Sequence, residues 1–304
     1  MVLDTFWHMH DTLDRLYKHK QLEAEGVAWH YVEFNAESRK VILLVHGLPE
    51  CWYSWHAVIP FLDQDYRVIA VDMKGQGRSV SNDGNFEWHH VARQLAAFME
   101  KLGIPKYHVV GHDWGAIITS VLVGDYPNRI LSFTRMEADL FPLEENSETY
   151  KMKPQWLLFK NEFVGKWFLK ITAATGLFTR LCYKGKRVRR MLRSISPEDY
   201  AYLTYEFARH GVAEAAASYF LPLNRDMEAL FDKIAFNDFP FPVMQLQADS
   251  DPSQPKELFE DIPKRCKNVQ LKWVTEASHF SNLDQPEQVA NAINELVRSA
   301  SGIW

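Results

Sequence analysis

The feature that most constrains the fold is the segment V-V-G-H-D-W-G-A at residues 109–116. An apolar run ends there, and a helix-forming stretch begins directly after Asp113. The flanking glycines, Gly111 and Gly115, suit a tight turn at which a strand and a helix pack closely. Such a turn holds its middle side chain exposed at the carboxyl end of a strand, beside a helix N-terminus that favours an anion. The segment therefore predicts a strand–turn–helix unit that presents the carboxylate of Asp113.

Short apolar runs alternate with helical patterns on both sides of this turn. The predicted strands are Val41–Val45, Arg67–Val71, Tyr107–Gly111, Ile130–Met136, Val243–Ala248 and Val269–Val274. The predicted helices cover residues 88–102, 114–125, 256–265 and 286–299. Continuous apolar strands that alternate with helices are typical of a mostly parallel sheet covered on both faces. The sequence thus predicts an α/β fold.

Strand patterns are missing between residues 141 and 225, where helix formers, aromatics and basic residues predominate. This segment carries 14 Lys and Arg against 8 Asp and Glu, a net charge of +6, which leaves −11 for the rest of the chain. We predict a helical domain over 141–225, inserted into an α/β core formed by 1–140 and 226–304. The run K-G-K-R-V-R-R at 184–190 suits an anionic surface, although a charge run more often marks a solvated helix face.

Composition limits the classes of function. The 304 residues are 47% hydrophobic and 24% charged, as in soluble globular proteins, and the net charge of −5 gives no reason to expect a nucleic acid partner. The N-terminus does not read as a signal peptide, and no apolar run is long enough to insert across a membrane. Three separated cysteines indicate reduced thiols, so we expect a cytoplasmic protein. No metal-ligand spacing or G-x-G-x-x-G fingerprint implies a metal or cofactor, and the oligomeric state stays open, with a homodimer as one option.

A carboxylate at the turn predicts a particular chemistry. Asp113 needs no base to act as a nucleophile at neutral pH, and it can displace an epoxide oxygen or a halide from a saturated carbon. The product is an ester on the protein, which an activated water must cleave. His279, in E-A-S-H-F-S-N after the last predicted strand, is the best candidate for the general base. We expect His46 and His112 to have structural roles.

The base needs a carboxylate partner, and the tetrahedral intermediate needs hydrogen-bond donors. Glu137 and Asp251 each follow a predicted strand, and the residues alone do not decide which of them orients His279. The backbone N–H groups of Trp114 and Leu48 are the expected oxyanion-hole donors. The Leu48–Pro49 bond is a candidate for a cis peptide, as in other tight functional turns.

Four motifs carry a resemblance to a known family. H-G-L-P-E-C-W-Y-S-W, D-M-K-G-Q-G-R-S, G-H-D-W-G-A and A-S-H-F resemble, in this order, the epoxide hydrolase branch of the α/β-hydrolase superfamily. The resemblance covers both predicted core halves and implies an α/β-hydrolase fold with an inserted helical cap. The apolar Leu48 in H-G-x-P is typical of epoxide hydrolases, whereas the similar haloalkane dehalogenases usually carry asparagine or glutamate there.

The resemblance also implies roles for further residues. Many epoxide hydrolases use the acid that Asp251 matches, but R-M-E-A-D-L-F-P resembles a subset that uses a glutamate after the preceding strand, which favours Glu137. The cap of the family supplies two donors, commonly tyrosines, to the epoxide oxygen, and Tyr219 matches the second. The first position falls in K-P-Q-W-L-L-F at 153–159, where Gln155 or Trp156 would have to donate instead.

The leading interpretation is a hydrolase that opens an apolar epoxide to a vicinal diol. The alternative is a haloalkane dehalogenase in which Trp114 and Trp156 hold the halide. An ester hydrolase or a luciferase-like oxygenase with the same residues is less favoured. A ligand-binding protein on a retired hydrolase scaffold is a third class, and the presence of a nucleophile, a base and an acid argues against it.

Overall fold

The computed structural model describes residues 10–138, 158–159, 161–184, 195–224, 239–266 and 268–300. The strands are β1 (His19–Ala24), β2 (Val27–Phe34), β3 (Val41–Val45), β4 (Arg67–Val71), β5 (Val80–Ser81), β6 (Tyr107–His112), β7 (Ile130–Met136), β8 (Val243–Ala248) and β9 (Val269–Val274). The helices are α1 (Trp88–Lys101), α2 (Trp114–Asp125), α3 (Glu162–Ala174), α4 (Leu177–Lys184), α5 (Pro197–Phe207), α6 (Val212–Ser218), α7 (Ile262–Arg265), α8 (Ser281–Asp284) and α9 (Pro286–Ser299). Short 3-10 turns cover Trp52–Trp55, Ile59–Phe61, Pro127–Arg129, Leu221–Asn224 and Lys256–Leu258.

Nine strands of the described residues form one sheet, in which β5 pairs with β2 beside the order β1-β2-β4-β3-β6-β7-β8-β9. Every pair from β4 through β3 and β6 to β9 is parallel. The carboxyl ends of these strands therefore lie at one edge of the sheet, where open α/β sheets place their ligands. The predicted α/β fold is confirmed, as are all six predicted strands, with β6 one residue longer than expected.

The strands that the sequence did not predict form the antiparallel end of the sheet. β1 pairs with β2 through the turn Glu25–Gly26, where φ is +48° and +76°. Two successive positive φ values define the turn that matches the twist of a two-residue hairpin. The hairpin was missed because β1 is largely polar and partly exposed, so that it lacks a clear apolar pattern.

Both faces of the sheet are covered by apolar side chains. Along β3, alternate residues enter two different buried clusters: Val41, Leu43 and Val45 pack with residues of α1 and α2. Ile42 and Leu44 pack on the opposite face with residues of α9 and of the turn Trp52–Trp55. This alternation explains why β3 is apolar throughout, since neither face meets water.

One predicted helix differs from the structure. Residues 256–265 form the 3-10 turn Lys256–Leu258 and the four-residue helix α7 instead of one continuous helix. Pro263 lies inside the predicted helix and is the second residue of α7, a position that tolerates its missing N–H group.

Helices α3 to α6 lie between β7 and β8 in the chain and are called the helical insertion below. They have an apolar cluster of their own, built on Phe159, Leu169, Phe207 and Val212, with Leu48 of the core packed against it. Residues 141 and 225, the predicted limits of an inserted domain, lie outside the described residues, so the domain boundaries stay a prediction. Within the described part of the chain, no helix is both long and apolar enough to cross a membrane.

Candidate active site

Asp113 occupies a sharp turn between β6 and α2. Its φ is +49°, a conformation that side-chain-bearing residues rarely adopt. Its N–H group donates to the carbonyl of Met136 at 3.0 Å, and its own carbonyl accepts from the N–H of Ala116 at 2.9 Å. The side chain stays 21% exposed at the carboxyl edge of the sheet. The backbone on both sides thus fixes the direction of this carboxylate.

The first turn of α2 lies directly against the end of β3. A Cβ atom on Gly115 would lie 2.3 Å from the carbonyl oxygen of Val45 and 2.4 Å from that of His46. Only a glycine allows this approach, which places the N-terminus of α2 beside the loop that follows β3. The glycine of the motif therefore brings Asp113 close to that loop.

The loop after β3 contributes a donor to the carboxylate. The N–H group of Leu48 donates to Oδ1 of Asp113 at 2.9 Å, and the Leu48–Pro49 bond is cis, as predicted. Trp114 is the first residue of α2. Both predicted oxyanion-hole residues thus adjoin the Asp113 carboxyl group, one by a direct hydrogen bond and one by sequence.

His279 connects Asp113 to a second carboxylate. Its Nε2 lies 3.2 Å from Oδ2 of Asp113, and its Nδ1 donates to Oδ2 of Asp251 at 2.7 Å. Burial lowers the pKa of His279, but the Asp251 and Asp113 carboxylates outweigh it and raise this pKa well above its usual range. Burial also acts against the charge of Asp251, yet His279 and Ser253 hold the pKa of Asp251 below its usual value. The three side chains form one hydrogen-bonded chain.

The preference for Glu137 as the partner of His279 is corrected by this geometry. Glu137 follows β7, is fully buried, and accepts from the N–H of Ala248 at 3.0 Å. Its other oxygen lies 3.5 Å from Nε2 of His112, so it faces His112 instead of Nδ1 of His279. Burial raises the pKa of Glu137 to about 8, which favours a neutral acid at pH 7.

His112 joins Glu137 to the loop that carries His279. Its Nδ1 lies 2.6 Å from Oε2 of Glu50, and its Nε2 donates to the carbonyl of His279 at 2.7 Å. Burial lowers the pKa of His112, but Glu50 outweighs it and raises this pKa to about 9. His112 therefore points away from Asp113, as expected, and fixes the backbone of the base. His46 is also bound to backbone atoms, to the carbonyl of Gly47 and the N–H of Met73.

The assignment of Tyr219 as a donor to substrate is contradicted by its hydrogen bond. Its hydroxyl donates to the carbonyl of Lys74 at 2.8 Å, and the side chain is fully buried. Its own carbonyl accepts from Nε1 of Trp88 at 3.1 Å. Tyr219 therefore joins the helical insertion to the core, and its hydroxyl hydrogen is not available to an epoxide oxygen.

Apolar rings surround the helix that begins at Trp114. The ring of Phe220 lies 4.6 Å from that of Trp114 and stacks on Phe159 at 4.2 Å. Burial and the charge of Asp113 raise the pKa of the Cys182 thiol of α4 to about 12. The helical insertion thus places apolar rings beside Trp114, the residue that follows Asp113. Gln155 and Trp156, the predicted donors, lie outside the described residues.

Ser253 adjoins the proposed site, although no motif in the sequence predicted it there. Its Oγ lies 2.7 Å from Oδ1 of Asp251 and 3.1 Å from Nδ1 of His279, and its N–H also donates to Asp251 at 2.7 Å. The available signal was the pattern D-x-S at 251–253, in which a short polar side chain accepts from the backbone two residues later.

One group of side chains in the described part of the chain has ligand atoms close enough to share a metal ion: His10, Asp14 and Glu206. The guanidinium of Arg78 already occupies this position, since its Nη2 donates to Asp14 at 2.5 Å and to Glu206 at 2.9 Å. A cation that replaced it would have to displace a permanent positive charge. The cluster therefore serves as an ionic connection between the core and α5.

Comparison with known proteins agrees with this architecture. The family model for the alpha/beta hydrolase fold matches residues 40–286, so the chain belongs to the α/β-hydrolase fold family. The chain is 25% identical to epoxide hydrolase 4 of Mus musculus, over 90% of this chain and 77% of that protein. It is 23% identical to epoxide hydrolase 1 of Caenorhabditis elegans, over 91% and 70%. The crystal structure of epoxide hydrolase VrEH1 from Vigna radiata matches with a TM-score of 0.79 at 22% identity, covering 93% of this chain and 98% of that chain.

Proposed function

We propose that this chain hydrolyses an epoxide to a vicinal diol through a covalent ester on Asp113. The observation that carries the proposal is the hydrogen-bonded chain from Asp113 through His279 to Asp251, with distances of 3.2 and 2.7 Å. The similarity to proteins named epoxide hydrolases supports the choice of substrate class.

In the first step an oxygen of Asp113 attacks a ring carbon, the carbon–oxygen bond of the epoxide breaks, and the released alkoxide takes up a proton. The carboxylate is the nucleophile, and the apolar rings of Phe220 and Phe159 beside Trp114 suit an uncharged substrate. We propose that an N–H group of Gln155 or Trp156 holds this alkoxide oxygen by a hydrogen bond, since the Tyr219 hydroxyl is bound to the backbone. The proton itself comes from solvent water.

In the second step water attacks the carbonyl carbon of the ester, and Nε2 of His279 removes a proton from that water. Esterification removes the charge of Asp113, one of the two carboxylates that raise the pKa of His279. The imidazole can then lose its proton and act as a base, while Asp251 stabilises the imidazolium that re-forms. The N–H groups of Leu48 and Trp114 would stabilise the oxyanion. Collapse of the intermediate releases the diol and regenerates Asp113.

Single turnover in ¹⁸O-labelled water tests this mechanism. Because water attacks the ester carbon, we expect the label in the Asp113 carboxylate, while the new diol oxygen comes from the unlabelled protein. The His279→Gln variant should accumulate a covalent adduct with the mass of the intact epoxide on the peptide that contains Asp113. The His56→Gln variant, which alters a histidine outside this chain of hydrogen bonds, is the matched control and should turn over normally.

Two outcomes would contradict the proposal. Label found in the diol during the first turnover would indicate direct attack by water. An adduct from haloalkanes but not from epoxides, with halide release, would instead support the dehalogenase alternative and its halide site at Trp114 and Trp156.

A further inference from the structure

Exposed apolar side chains are concentrated on the first two helices of the helical insertion. Of the nine large hydrophobic residues that are exposed in the described part of the chain, six lie on α3 and α4. They are Phe163 (79% exposed), Val164 (41%), Trp167 (60%), Ile171 (43%), Leu177 (45%) and Leu181 (55%). We call these six side chains the α3–α4 surface. A group of exposed apolar side chains on one part of a surface often marks an interaction site, whereas single exposed apolar residues are ordinary.

Helix α3 is apolar on both of its sides. Gly165, Leu169, Thr172 and Ala173 are buried against the rest of the helical insertion, whereas Phe163, Trp167 and Ile171 recur every four residues on the side that faces water. Folding of the chain does not explain this outer row, because between 43% and 79% of each of these side chains stays exposed. Its periodicity indicates one continuous helical face.

Basic residues accompany the apolar ones at a fixed spacing. Lys166 follows Phe163 by three residues, and Lys170 follows Trp167 in the same way. On α4, Arg180 follows Leu177 and Lys184 follows Leu181, again by three. Residues three apart are neighbours on a helix surface, so each of these apolar side chains has a cation beside it.

The surroundings of the α3–α4 surface are positive overall. Residues 161–184 contain four Lys and Arg and one acidic residue, Glu162. Lys166 pairs with Glu162 and Lys170 with Glu214 of α6, and Arg180 and Lys184 add two more positive charges. A second copy of this chain would bring two positive segments together, whereas an anionic surface would be complementary.

We propose that the α3–α4 surface docks this protein, peripherally, on a bilayer that contains anionic lipids. Aromatic and aliphatic side chains with basic neighbours are the composition of helices that lie in the membrane interface. Helix α4 also contacts the loop after β3 beside Asp113, since the hydroxyl of Tyr183 donates to the carbonyl of Pro49 at 3.1 Å. Docking would therefore place the helical insertion, and not the sheet, at the bilayer.

Flotation of the purified full chain with two kinds of vesicle tests the proposal. We expect binding to vesicles of phosphatidylcholine with phosphatidylserine, weaker binding to phosphatidylcholine alone, and weakening by added salt. The Phe163→Ser/Trp167→Ser variant should lower the partition coefficient by about tenfold or more, because two large apolar side chains no longer enter the interface. The Phe61→Ser/Val80→Ser variant is the matched control, since both of its residues are exposed but lie on the core, and it should bind like the unaltered chain.

A second variant, Leu177→Ser/Leu181→Ser, tests the α4 half of the surface independently, and circular dichroism checks that each variant is folded. Absence of binding to both vesicles, or equal binding by the α3 variant and the control, would overturn the proposal. Analytical ultracentrifugation tests the alternative that the α3–α4 surface binds a second copy of this chain. A dimer that the α3 variant abolishes would assign the surface to self-association and overturn membrane docking.

Discussion

At the scale of single residues, the direction of the Asp113 side chain is set by its backbone. A φ of +49° costs on the order of 1–3 kcal/mol for a residue with a side chain, and the hydrogen bonds on either side of the turn offset that cost. Glu137, at the end of the neighbouring strand β7, has a φ of +44° as well. Two acids at adjacent strand ends are thus held in the same uncommon conformation, but only one of them reaches the open edge of the sheet.

The two carboxylates near His279 should respond differently to neutralisation. We expect Asp251→Asn to lower kcat on epoxides by about 100-fold or more, because the imidazolium loses the carboxylate at 2.7 Å. Glu137→Gln should retain kcat within about threefold, since Glu137 contacts His112 and a backbone N–H group. Steady-state kinetics of both variants provide the test, and the reverse ranking would reinstate Glu137 as the partner of the base.

Tyr219→Phe should affect stability and leave chemistry nearly unchanged. Loss of the hydroxyl leaves the buried carbonyl of Lys74 without this donor, at a cost of about 1–3 kcal/mol in the free energy of unfolding. We expect kcat for epoxides to stay within about threefold of the unaltered chain. Urea unfolding and kinetics on the same preparation check both parts. A large loss of kcat in a stable variant would restore Tyr219 as a substrate donor.

Residue types and order in the sequence predicted a nucleophile, a base and two possible acids, because each follows a recognisable strand. The choice between Glu137 and Asp251 depends on which loop bends toward Nδ1 of His279, and that is decided by backbone geometry and by Ser253. In the same way, A-A-S-Y-F-L does not reveal whether Tyr219 or Phe220 faces the site. A shift of one residue along the chain turns a side chain by about 100° around a helix axis.

At the scale of elements, the contact between β3 and α2 depends on the absence of one side chain. Gly115→Ala would place a methyl group 2.3 Å from the Val45 carbonyl oxygen, so α2 would have to move away from the sheet. We expect a loss of about 3 kcal/mol or more in the free energy of unfolding, together with loss of activity. The Ala116→Gly variant, one position along the same helix, is the control and should cost about 1 kcal/mol. Equal thermal stability of the two variants would contradict this account.

Strands and helices were predictable from the sequence where the pattern of apolar residues was strong and local. The six apolar strands and α2 have the predicted bounds to within one residue, because burial on both faces requires continuous apolar runs. The hairpin of β1 and β2 and the interrupted segment at 256–265 were not predictable in this way. There, pairing partners, a turn with positive φ and a proline decide the outcome.

At the scale of the whole molecule, buried titratable groups behind the active site connect stability to pH. The pKa of His112 is about 9 in the folded chain against an ordinary 6.5, because the charge of Glu50 outweighs burial, and that of Glu137 is about 8 against 4.5, because of burial. Between each pair of values the folded chain binds more protons than the unfolded chain, so stability falls as pH rises.

We expect the free energy of unfolding to fall between pH 6.5 and pH 9 by on the order of 5 kcal/mol, about 3 kcal/mol from His112 and about 2 kcal/mol from Glu137. The Glu137→Gln variant should show a smaller fall, because it has no carboxyl group to ionise in the core and only the contribution of His112 and its neighbours remains. Urea unfolding at the two pH values measures the effect. Stability that rises over this range would contradict the proposed charge state of His112.

The proposed site is formed by residues that follow β3, β6, β8 and β9, namely Leu48, Asp113, Asp251 and His279. No contiguous piece of the chain therefore contains the site. A nascent polypeptide that has completed β6 already carries the nucleophile but lacks the imidazole, which is synthesised after the last strand. If such a fragment reacted with an epoxide, it would be alkylated once and could not release the product. The hydrogen bonds of Asp113 with Leu48 and Met136 join it to the loop after β3 and to β7, so a chain that has only reached β6 does not yet hold this carboxylate in its attacking position.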